Sequence, residues 1–62
     1  MKFEIYKDEA DEIRWRMKAK NGEIIAVCSE GYSDVRDAEH CINIIRTGGV
    51  MKIDYLDGIK PA

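Results

Sequence analysis

Two thiols, one imidazole and one hydroxyl carry the readiest chemistry in this chain: Cys28, Cys41, His40 and Ser29. A general base or an activated nucleophile needs a second group within hydrogen-bond reach. Nothing near Ser29 in sequence supplies a base, and Ser29-Glu30-Gly31-Tyr32 has the composition of a strand-to-helix corner. His40 titrates near neutrality when unperturbed, but its neighbour Cys41 would point about 100° away on a helix, so the two do not converge on a metal. No metal, no cofactor and no catalytic residue is expected. The chain reads as non-enzymatic, with an enzyme retained only as a remote alternative in which a subunit interface completes a site around His40 or Cys28.

The second candidate is electrostatic. In Arg14-Trp15-Arg16-Met17-Lys18-Ala19-Lys20, basic and apolar residues alternate, and a strand puts them on opposite faces. Arg14, Arg16 and Lys18 could therefore track a phosphate backbone, with Tyr6 on the same face as a base-stacking platform. Acidic neighbours argue against an open basic platform, because Glu4 is expected near Arg16 and Glu23 opposite Lys20. Weak nucleic-acid binding through Arg14, Arg16 and Lys18 is thus the alternative reading, not the first one.

The elements that position these groups follow from periodicity. Lys2 to Lys7 alternates polar and apolar, giving a first strand, and the polar run Asp8 to Glu12 turns the chain. A second strand is expected from about Ile13 to Lys20, then a type I′ turn at Asn21-Gly22 and a third strand. In that register Lys18 faces Ile25 and Arg16 faces Val27, while Trp15, Met17 and Ala19 face Cys28, Ala26 and Ile24 on the apolar side. Trp15 and both cysteines accordingly read as core. Ser33 is the expected N-cap of a helix from about Asp34 to Thr47, with Gly48-Gly49 ending it. Val35, Ala38, Ile42 and Ile45 form its apolar stripe, with Cys41 at the edge and His40 and Ile44 pointing away. Met51 to Leu56 supplies a last short strand.

Length sharpens the picture. A chain of 62 residues forms one domain, residues 1–62, and buries only about 60% of its unfolded surface. Such domains gain stability from disulfides, metal or oligomerisation. Two cysteines allow one bridge at most. Glu4, Asp8 and Glu9 interrupt any secretory leader, so a reducing cytoplasm is expected. Oligomerisation remains, and Ile25, Val27 and Ile44 lack cover in a monomer. The formal net charge of −2 with 35% charged residues describes an ordinary surface, and no apolar run approaches the roughly 20 residues that span a bilayer.

Phe3-Glu4-Ile5-Tyr6-Lys7-Asp8, Arg14 to Ala19, Asn21 to Ala26 and Ser29 to Ser33 together closely resemble the YegP-like family of small bacterial and archaeal proteins. Ala38-Glu39, Ile42, Ile45-Arg46 and Ile53-Asp54-Tyr55-Leu56 fall where that family has its helix and terminal strand. The resemblance implies an α+β fold, a β-β-β-α-β unit with an antiparallel sheet and one helix on one face. It further implies pairing with a second copy, a homodimer here, with exchange of the C-terminal strand. That family carries no established function, so the expected role is a homodimeric binding or interaction module for an unidentified protein or small ligand. Val35 and Cys41 depart from it, standing where Lys and Gly are common.

Overall fold

A computed structural model describes residues 1–46 and 51–62. The strands are β1 (Lys2–Lys7), β2 (Ile13–Lys18), β3 (Ile24–Val27) and β4 (Lys52–Tyr55), and the helix α1 (Val35–Ile45) lies between β3 and β4 in sequence. They form one sheet in the order β3-β2-β1-β4. The helix packs across β1 and β2, so the core lies between the inner sheet face and one stripe of α1. Phe3, Ile5, Trp15, Cys28, Ala38 and Ile42 are its buried apolar residues. Phe3 and Trp15 meet edge to face with ring centroids 5.6 Å apart, the arrangement that the aromatic quadrupole favours.

The α+β class and the element order agree with the sequence, but the sheet is mixed and not wholly antiparallel. β1 pairs antiparallel with β2, and β2 with β3, whereas β4 runs parallel to β1 with Lys2 opposite Lys52 and Glu4 opposite Asp54. The helix is the reason. β3 leaves the sheet in the same direction as β1, the 11 residues of α1 carry the chain back by about 16 Å, and the next strand must then repeat the direction of β1.

The β2–β3 hairpin also closes differently from a two-residue turn. Ala19 N–H donates to Glu23 O at 2.9 Å and Gly22 N–H to Ala19 O at 3.0 Å, with positive φ at Gly22 (86°) and not at Asn21. This is the three-residue loop that follows a type I turn with a left-handed glycine. Asn21 Oδ1 accepts from Glu23 N at 3.0 Å, so its side chain caps the turn instead of adopting positive φ. Strand β2 therefore ends at Lys18, Ala19 faces Glu23, and Lys20 has no ion pair with Glu23 among the described residues. Arg16 faces Val27 and Met17 faces Ala26 as expected, but a register shift after Met17 sets Lys18 against Ile24 instead of Ile25.

At the helix start the N-cap is Asp34, not Ser33: Asp34 is extended and its carboxylate accepts from Arg36 N at 2.9 Å. A carboxylate supplies the same acceptor as a hydroxyl and adds charge at the positive end of the helix dipole. Along the stripe, Ala38 and Ile42 are buried and Val35 and Cys41 pack on the core. Ile45 has the right phase but is 48% exposed, because it ends the helix where the core cluster has stopped. The expected helix end at Thr47 and Gly48-Gly49 lies outside the described residues.

The corner before the helix is held by backbone. Ile13 and Tyr32 exchange two hydrogen bonds of 2.8 and 2.7 Å, and Gly31 sits where an added Cβ would come within 2.7 Å of Glu12 Cβ. Ser29-Glu30-Gly31-Tyr32 is thus a close-packed turn between β3 and α1.

Candidate functional site

The strand register brings charge together on the sheet face opposite the helix. Lys18, Lys2 and Lys52 lie side by side across β2, β1 and β4, and Arg16, Glu4 and Asp54 form the adjacent row. Like charges directly opposite are unfavourable in a sheet and opposite ones favourable, so the second row has to compensate the first. Glu4 is central to it. Though only 6% exposed, its carboxylate lies 2.7 Å from Arg16 Nε, 3.4 Å from Lys18 Nζ and 3.6 Å from Lys2 Nζ. The hydrogen bond from Arg16 holds the Glu4 carboxyl below its ordinary range even though burial opposes ionisation. Asp54 repeats the pattern at the edge, with Lys2 Nζ at 2.8 Å and Lys52 Nζ at 3.4 Å. Its carboxyl is likewise lowered, first by the hydrogen bond from Lys2.

The three basic residues singled out from the sequence all lie on this face, and each has an acidic neighbour. Arg14 donates to Asp8, whose carboxylate also accepts from the backbone of Ala10 and Glu12 at 2.9 and 3.0 Å. The hydrogen bond from Arg14 lowers the Asp8 carboxyl and raises Arg14 in return. Arg16 is doubly engaged, by Glu4 and by the Tyr6 ring, over which its guanidinium sits 4.3 Å from the centroid. One face of the presumed stacking platform is therefore occupied by the chain's own cation. Lys2, Lys52 and Asp54 escaped the sequence reading. All three have the polar phase of their strands, but which strand lies beside β1 is not a local property of either segment.

The remaining candidates are placed apart. Cys28 is 6% exposed and its sulfur accepts from Trp15 N at 3.3 Å, while His40 is on an exposed part of α1. The pKa of the Tyr32 hydroxyl is raised, first by Cys41 beside it and then by burial. Trp15 Nε1 is buried without a hydrogen-bond partner among the described residues. No group of three or more His, Cys, Asp or Glu side chains has metal-binding geometry among those residues.

Residues 8–49, which include β2, β3 and α1, match the model of a domain of unknown function, DUF1508. The chain belongs to this family. It is the YegP-like family that the sequence resembles, and its members reach across bacteria and archaea. A UPF0339 protein of Neisseria meningitidis serogroup B is 47% identical over 47 residues, covering 76% of this chain and 82% of the relative. Another from Agrobacterium fabrum is 51% identical over 45 residues, 73% and 71% of the two chains. A third, from the archaeon Methanosarcina acetivorans, is 48% identical over 46 residues, 74% and 72%. The DUF1508 match takes in Arg14, Arg16 and Lys18, whereas Lys2, Glu4, Lys52 and Asp54 lie outside it. The charged face is thus built half from the matched segment and half from the two strands that flank it.

Proposed function

We propose that this DUF1508 chain is a non-enzymatic homodimeric binding module working in the cytoplasm, its binding surface completed by assembly. The edge strand β3 carries the argument. It is the outermost strand of the sheet, has the sequence Ile-Ile-Ala-Val without a charge, and leaves Ile24, Ile25 and Val27 about half exposed. Natural edge strands are usually blunted by charge, proline or a cover, because a bare apolar edge pairs with other chains. β4, by contrast, carries Lys52 and Asp54 at the opposite edge. A second copy covers the apolar residues at modest cost and suits a chain too short for a large core. Free cysteines are what a reducing compartment maintains, and no helix among the described residues is long and apolar enough to cross a membrane.

Exchange of β4 between the two copies is the finer arrangement that the family resemblance implies. Exchange conserves contacts and changes only which copy supplies them, so the parallel register of Lys2 with Lys52 is the one an exchanged strand would reproduce. Light scattering over a concentration series should give twice the 7.1 kDa of one chain, with Val27→Lys shifting the equilibrium towards monomer. A monomer throughout overturns the reading. For the exchange, oxidised Lys2→Cys with Lys52→Cys should run as a covalent dimer on a denaturing gel, whereas pairing within one copy leaves a monomer.

A further inference from the structure

At one end of the sheet, where β1 starts, β2 has just ended and β4 starts, an open pocket of about 350 Å³ is lined by Met1, Lys2, Ala19, Lys20 and Lys52. Three of its five residues are lysines, and Lys18 extends the row beside Lys2. The carboxylates that reach this cluster are few. Asp54 is shared between Lys2 and Lys52, and Glu4 is shared among Lys2, Arg16 and Lys18. Lys20 has no acidic partner within 4 Å among the described residues. The aligned ammonium groups therefore remain under-compensated in a chain whose net charge is negative, and such a concentration of like charge raises the local density of anions.

We propose that this pocket binds the phosphoryl group of a small multiply charged ligand, of the class of pyrophosphate and phosphate monoesters, through Lys2, Lys20 and Lys52. Ammonium groups are compact charges with three rotatable donors each, so several of them can converge on the tetrahedrally arranged oxygens of one phosphoryl group, which spreads more charge over more acceptor oxygens than a single carboxylate. Met1 and the lysine stems supply an apolar wall for whatever the phosphoryl group is attached to. Lys2 stays charged throughout the neutral range, since the hydrogen bond to Asp54 raises its pKa further. This deepens the binding-module reading by naming a ligand chemistry, and the site becomes composite if β4 is exchanged, because Lys52 then comes from the second copy.

The test is a titration of the full chain with inorganic pyrophosphate at low salt, followed by amide chemical shifts, with citrate as a carboxylate of similar charge. Saturable shifts at residues 2, 19, 20 and 52, several-fold weaker binding in Lys20→Gln, and weaker shifts with citrate are expected. Lys20 lies in a turn without an ion pair, so its loss leaves the fold intact. No saturable shift, or equal affinity in Lys20→Gln and with citrate, overturns the site. Light scattering on the same samples separates the two readings: a monomer that binds pyrophosphate keeps the site and loses the dimer, and a dimer that does not bind keeps only the dimer.

Discussion

Glu4 on β1 and Arg16 on β2 face each other across the sheet, with Glu4 Oε1 accepting from Arg16 Nε at 2.7 Å. The pair anchors the open face, since the same carboxylate also compensates Lys18 and Lys2.

Removing that carboxylate leaves three cations facing one another over a nearly buried position. Glu4→Gln keeps the shape and deletes the charge, and a lost hydrogen bond to a charged group costs about 1.5–3 kcal/mol. Urea unfolding should show a lower midpoint with an unchanged slope. A midpoint equal to that of the parent chain would mean that the pair contributes nothing net.

Acid should act through the same groups. Glu4 has an ordinary value of 4.5 and Asp8 one of 3.8, and both are held lower in the fold, first by the hydrogen bonds from Arg16 and Arg14. For a depressed carboxyl the stabilisation is complete above the unfolded value and disappears as pH falls through the folded one. Melting temperature should therefore be level with respect to these groups above about pH 4.5 and fall below it, with a shallower acid limb in Glu4→Gln.

Base should act through Tyr55. Burial, and then its hydrogen bond to Glu39 Oε2, push the Tyr55 hydroxyl from 10.0 up to about 12. A raised phenol favours the folded state fully below the unfolded value, and that contribution is lost between 10.0 and about 12. Ultraviolet titration should show late phenol ionisation that is diminished in Tyr55→Phe, with Tyr32 supplying the remainder; a variant that loses only ionisation near the ordinary value of 10.0 would refute the assignment.

The core offers a graded test at Ile42, which is fully buried on the helix stripe. Ile42→Val should cost about 0.5–1.5 kcal/mol and Ile42→Ala about 2–5. A 62-residue chain has roughly 3–9 kcal/mol to lose, so thermal melts followed by circular dichroism should find the valine variant slightly and the alanine variant markedly less stable than the parent. Equal stability of the two would mean that the helix does not rest on this residue.

Gly31 and Glu12 should behave as a pair. Gly31→Ala forces a Cβ to within 2.7 Å of Glu12 Cβ, an overpacking that costs about 1–3 kcal/mol. Adding Glu12→Gly removes that Cβ and should recover part of the loss in a double-mutant cycle. Strictly additive effects would show that the clash is relieved elsewhere.

The sequence by itself determined the local elements. Alternation in Lys2 to Lys7 and Arg14 to Lys18 fixes two strands and their apolar faces, and the stripe through Ala38 and Ile42 fixes the buried side of the helix, because these periods depend only on residues a few positions apart. Even locally, neighbouring groups competed: Asp34 took the cap from Ser33, and Lys20 was drawn into the hairpin loop, where a type I turn with Gly22 in the left-handed region replaced the shorter one. Only the tertiary structure decided that β4 lies parallel beside β1, and with it that Lys2, Lys52 and Asp54 join Glu4, Arg16 and Lys18 on one face. Contacts between segments some fifty residues apart depend on how the helix returns the chain across the sheet, and no pattern within either segment encodes that choice.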